Sequence, residues 1–156
     1  MTYNEAYNRI ITAYFKDEVK PFEPCACFIG NLLGGKDIWA NARTKDPFLN
    51  MFVPAKYEIG FYGSKDSIDK GLKYIKDLSN DVLTIEDICR IENVFMKIIW
   101  GHTSKSNIGY FNDGCDQEEQ LFEAMSAGLD MLKTIYEEKG LPTESIVFNK
   151  RELVNA

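Results

Sequence analysis

One imidazole and four thiols bound the covalent chemistry open to this chain: His102, with Cys25, Cys27, Cys89 and Cys115. A thiol becomes a nucleophile when a helix N-terminus, a cation or an imidazole lowers its pKa and a base takes its proton. Cys25 follows Pro24, a residue suited to the first position of a helix, and Cys115 precedes an acidic stretch patterned as a helix start. A cysteine-dependent hydrolase or transferase using Cys25 or Cys115 with His102 is therefore one reading. The shortage of candidate strands weighs against it, since it leaves no sheet on which to mount the base. The same thiols make a poor metal centre. On a helix, Cys25 and Cys27 would point roughly 200° apart, whereas zinc sites need sulfurs that converge. No metal and no cofactor is expected, and the cysteines read as small buried hydrophobes.

The stretch GNLLGGKDIW, from Gly30 to Trp39, matches the phosphate-loop pattern up to Lys36 and then fails, with Asp37 where a magnesium-binding hydroxyl belongs. A phosphate loop also has to follow a buried strand, and the residues before Gly34 are patterned as a helix. Gly34 and Gly35 thus read as a helix stop that turns Lys36 and Trp39 toward the rim of an apolar helix. Arg43 lies four residues after Trp39, and a cation beside an aromatic face can hold a planar or phosphorylated ligand. An aromatic core under an ordinary basic surface is the plainer alternative.

After Trp100 comes the polar segment GHTSKSNIGYFNDGC, longer than most connections in compact domains. His102, Lys105, Tyr110, Asn112 and Asp113 mix a cation, a ring and amide or carboxylate groups, which suits recognition of a small polar ligand or of a partner's surface. The competing reading is a solvated loop turning at Asn112-Asp113-Gly114. A calcium loop is excluded by register, because Gly109, Phe111 and Gln120 fall where oxygen ligands belong. The candidate ligand-binding set is Lys36, Trp39, Arg43, His102, Lys105, Tyr110, Asn112 and Asp113.

These residues have to be positioned by a chain of 156 residues, enough for a single domain with a substantial core. One domain is expected over 1–156, with 150–156 as a tail. The net charge of −6 and the lack of a basic stripe argue against nucleic acid. The longest apolar run, Cys25 to Leu33, is far short of a membrane span, and the start of the chain carries Glu5 and no apolar signal core. A soluble, cytoplasmic protein is expected.

Periodicity supplies the helices. Thr2 with Glu5 forms a capping box before an apolar stripe of Tyr3, Ala6, Tyr7, Ile10, Ile11 and Tyr14. A second helix, apolar almost all round and hence central, is expected from Pro24 to the Gly34 stop. A short turn around DIWANAR follows, then an irregular TKDPFLNMFVP. Ser64 caps a third long helix with Ile68, Leu72, Ile75 and Leu78 inward, and Thr84 with Asp87 opens a fourth, with Ile88, Ile91, Phe95, Ile98 and Ile99 inward. A last helix begins at Asp116 and stops at Lys139-Gly140-Leu141-Pro142. KYEIGFY and SIVFN are candidate strands that could pair.

The expected fold is mostly α, α+β at most: a compact bundle of about five helices with a minor two-stranded β element. The function expected first is that of a non-enzymatic small binding protein, one that captures or sequesters a small polar or nucleotide-like signalling ligand or a protein partner. The cysteine-dependent enzyme is the alternative, and a structural or interaction module of a larger assembly is the second. Homo-oligomer formation is compatible with all three.

Overall fold

Thr2 starts the first helix with both halves of a capping box. Its Oγ1 accepts from the Glu5 amide at 3.1 Å, and its own N–H donates to Glu5 Oε2 at 2.9 Å. In the computed structural model, described over residues 1–21, 23, 27–52, 64–103 and 117–144 and as backbone alone at 51, 100–103 and 117, this helix is α1 (Tyr3–Phe15). It is followed by α2 (Phe28–Leu32), α3 (Trp39–Lys45), α4 (Pro47–Met51), α5 (Lys65–Ser79), α6 (Ile85–Thr103) and α7 (Gln117–Glu138). Among the described residues there is no strand, and the fold is mostly α as expected. The two segments expected to pair as strands, 56–62 and 145–149, lie outside those residues. So do Pro24, Asp116 and the tail.

The long helices α6 and α7 form an antiparallel hairpin. Arg90 near the start of α6 makes a two-pronged pair with Glu138 at the end of α7, at 2.7 and 3.0 Å. At the other end, Gln120 Nε2 donates to the Ile99 carbonyl at 2.9 Å. Helix α1 runs against α7, with Tyr3 edge-on to Tyr136 at 5.8 Å and Tyr14 facing Phe122 at 6.5 Å. Capping of α6 follows its sequence: Thr84 Oγ1 accepts from the Asp87 amide and the Thr84 amide donates to Asp87 Oδ2.

Helix α2 is central, as its all-round apolarity requires, with every residue from Phe28 to Leu32 buried. Its start differs from expectation. The helix opens at Phe28 with Cys27 as its N-cap, the Sγ accepting from the Gly30 amide at 3.2 Å, while Pro24, the expected first helical residue, lies outside the described residues. Its end follows the glycine stop: Gly34 and Gly35 take φ of 125° and 66°, and the Gly35 amide returns to the Gly30 carbonyl at 2.8 Å. Two of the last carbonyls are met from outside the helix, Leu32 by Arg9 at 3.0 Å and Leu33 by the Tyr74 hydroxyl at 2.8 Å.

Three further differences have local causes. The stretch expected to be irregular contains α4, because Asp46 Oδ1 caps the Phe48 and Leu49 amides and Pro47 supplies a preset φ. Helix α6 continues past Trp100 through Thr103, which places the His102 backbone in its last turn rather than in a loop. The most buried line of α5 is Ser67, Gly71, Ile75 and Ser79, flanked rather than led by Ile68, Leu72 and Leu78. Gly71 has no side chain because Phe52 lies on it: a Cβ there would meet three ring carbons at 2.3–2.4 Å.

That contact gives a first prediction. Gly71→Ala gains about 1 kcal/mol of helix propensity but forces a fully buried ring to move, an overpacking cost of about 1–3 kcal/mol or more. The variant is expected to unfold at lower urea than the wild type, and a higher midpoint would refute the packing described.

Candidate functional site

Of the residues nominated by sequence, Lys36, Trp39 and Arg43 are described with their side chains. The first is separated from the other two in its contacts. Lys36 is exposed and pairs with Glu18, beyond the end of α1, at 3.0 Å. Trp39 turns inward and keeps 1% of its surface, its ring 4.8 Å from Tyr74. Arg43 lays its guanidinium 5.5 Å from the Trp39 ring centroid and donates to the Asn50 carbonyl at 2.9 Å. The expected cation over an aromatic face is therefore present. The ring beneath it is closed to solvent, and Arg43 joins α3 to α4. Cys25, Lys105, Tyr110, Asn112, Asp113 and Cys115 lie outside the described residues, as does the side chain of His102.

Cys27 and Cys89 are unbridged. Burial pushes the Cys27 thiol up to about 12, with the charge of Glu92 adding to it and hydrogen bonds from the α2 amides opposing. Burial also raises Cys89, helped by Glu86 and Glu92. Both shifts favour the thiol over the thiolate, the less reactive state for nucleophilic attack. No group of three or more His, Cys, Asp or Glu among the described residues is placed to hold a metal ion. No helix among them is long and apolar enough to cross a membrane.

A concave site exists elsewhere, at the corner where α5 passes into α6. Asn80 and Asp81 both take left-handed backbone conformations, φ 53° and 65°. Asn and Asp enter this region more readily than other non-glycine residues, and Asn80 here serves as the left-handed cap that ends α5. The turn is held by the Asp81 amide donating to the Lys76 carbonyl at 2.9 Å and the Leu83 amide donating to Ser79 Oγ at 3.0 Å.

Beside this turn opens a pocket of about 250 Å³ with an apolar floor of Leu72, Ile75, Leu83 and Ile85. Its rim carries Lys76, Asp81, Thr84 and Glu86. Lys76 and Asp81 face each other at 3.6 Å, and both are mostly exposed, so the pair is weak and easily exchanged for a ligand's charges. Sequence pointed to none of these residues as a site. The one available signal was Asn80-Asp81 between two helical patterns, which reads as an ordinary turn.

No protein-family model matches the chain, and neither a curated protein nor a solved structure matches it. The fold and the corner pocket therefore carry the functional reading by themselves: a helical domain with a small open site of mixed polarity.

Proposed function

We propose that this chain is a non-catalytic binding protein that captures a small polar ligand at the α5–α6 corner. The supporting observation is the pocket itself, in which an apolar floor adjoins Lys76 of α5, Glu86 of α6 and Asp81 on the left-handed turn between them. Apolar pockets with a few convergent polar groups are the usual form of small-molecule sites. The volume of about 250 Å³ suits a compact molecule with an apolar body and an ionic head. A nucleotide would leave part of itself outside.

Calorimetry and thermal shift against zwitterionic, anionic and cyclic-nucleotide compounds test this reading. A ligand at about a hundred times its Kd is expected to raise Tm by roughly 5–10 °C. Glu86→Trp, an exposed rim substitution that fills the mouth, is expected to abolish the shift. Absence of any shift across the set, or a shift unaffected by Glu86→Trp, counts against the corner as the site.

A second reading, association between copies of this chain, has one observation behind it. Phe15 and Phe122 are 63% and 58% exposed and are joined through Tyr14, whose ring lies 5.7 and 6.5 Å from theirs. Sedimentation of the wild type and of Phe15→Ser/Phe122→Ser separates the cases. A wild type that stays monomeric at high concentration removes this reading.

A further inference from the structure

Glu92 stands on α6 one turn after Ile88 and one turn before Phe95, both fully buried. Its Oε2 is closed off from solvent and has no hydrogen-bond partner among the described residues. Next to it lies the start of α2: Phe28 packs on Phe95 with ring centroids 5.5 Å apart, and the preceding residue, Cys27, feels the charge of Glu92. A carboxylate with an oxygen in such a place lacks there the donors it would have in water, a penalty that a neutral carboxylic acid largely avoids.

We propose that the contact between α2 and α6 is a proton-dependent latch, in which the neutral Glu92 carboxyl lets the Cys27-capped end of α2 seat against α6 and its ionisation releases that end. Among the described residues, no cation or hydrogen-bond donor is shown meeting a Glu92 anion at Oε2. From α2 comes the Cys27 thiol, whose Sγ is turned to the Gly30 amide. From the chain before α2 comes Glu23, an exposed acid whose carbonyl accepts from the Cys27 amide. On α6 itself the neighbours are Cys89 and Glu86 before it, Arg90, which is held by Glu138 of α7, and the exposed Lys97 after it. Lys139, just past the end of α7, is bound to Asp87. Burial accordingly pushes Glu92 up to about 8.

The sign follows from proton linkage. A carboxyl whose folded pKa lies above its value in the open chain holds a proton that the open state has lost. The closed contact is at full strength below about pH 4.5, weakens as pH rises toward 8 and levels off beyond it. The latch loosens progressively between about pH 4.5 and 8 and is fully loosened above that range.

The test reads the rate of iodoacetamide labelling at Cys27, located by tandem mass spectrometry, in the wild type and in Glu92→Gln, a neutral replacement of the same shape. Dividing one rate by the other removes the intrinsic pH dependence of the thiol. The wild-type to Glu92→Gln ratio is expected to rise by up to about tenfold per pH unit between 5 and 8 and to flatten above. A ratio that stays constant over this range overturns the proposal. Carbon-detected NMR of the Glu92 carboxyl in the wild type gives an independent reading should the variant fold poorly. A midpoint near 8 supports the latch, and one near the ordinary glutamate value sinks it.

Discussion

Phe28→Ala is expected to cost about 3–5 kcal/mol, a large share of the roughly 5–15 kcal/mol that holds a domain of this kind folded. The ring of Phe28 has no solvent-exposed surface and joins three helices. It opens α2, leans on Phe95 of α6 at 5.5 Å and lies over Gly128 of α7. Little around it can collapse into the space it would vacate, because helices already in contact on either side set the walls. The reciprocal change checks the same contact from below. A Cβ at Gly128 would come within 2.6 Å of Phe28 Cε2, so Gly128→Ala should lose about 1–2 kcal/mol despite its helix propensity. Combined with Phe28→Leu, it should cost less than the two changes summed, since the smaller side chain makes room for the methyl. Urea unfolding followed by circular dichroism measures all three. A Phe28→Ala loss below about 1 kcal/mol, or a stabilising Gly128→Ala, contradicts this junction.

Which parts of this architecture could be read in advance depends on whether the determining groups are neighbours in sequence. The Thr2 and Thr84 boxes and the glycine stops at 34 and 140 were legible because each is complete within a few residues. In the last of these, the Gly140 amide returns to Glu137 and that of Leu141 to Tyr136, both at 3.0 Å. The start of α2 was misplaced for a physical reason. Its cap is a thiol, a weaker acceptor than the hydroxyl or carboxylate by which helix starts are recognised, while Pro24 offered a familiar first position. Helix α4 did carry a local signal, Asp46 before Pro47, which the aromatic residues around it obscured.

The candidate site was less legible than the fold. The apolar floor of the corner pocket comes from residues that α5 and α6 present on ordinary amphipathic faces, and only the closing turn makes them concave. Trp39 was read as a rim residue because it follows the glycine stop. The turn instead sends it inward against Tyr74, a partner thirty-five positions away that no local pattern could supply. Glu92 is the clearest case. A single Glu on a helix reads as solvated surface, and the closing off of its Oε2 is a matter of tertiary packing that no local pattern announces.

Lys139→Met is expected to cost about 2 kcal/mol and Asp87→Ala about 3 kcal/mol, and the two should not add. Lys139 Nζ donates both to Asp87 Oδ2 and to the Val82 carbonyl, tying the end of α7 to the turn before α6. Asp87 does two jobs: its carboxylate accepts from the Thr84 amide at 2.9 Å as half of the capping box and also holds the lysine. Its side chain is 9% exposed, so taking away the cation leaves a nearly buried carboxylate with the Thr84 amide as its remaining partner among the described residues. The lysine is 29% exposed, and water can replace part of what it loses when Asp87 is removed, which moderates the cost from that side. Once Asp87 is alanine, Lys139→Met has little left to break beyond the bond to Val82. The double variant should therefore lie about 1–2 kcal/mol above the sum of the singles, a coupling that a double-mutant cycle in urea resolves. Additivity within about 0.5 kcal/mol would mean that the cap and the ion pair act separately. The end of α7 would then be held by Arg90 and Glu138, a more exposed pair that water and salt screen and that is too weak to fix the corner beside the pocket.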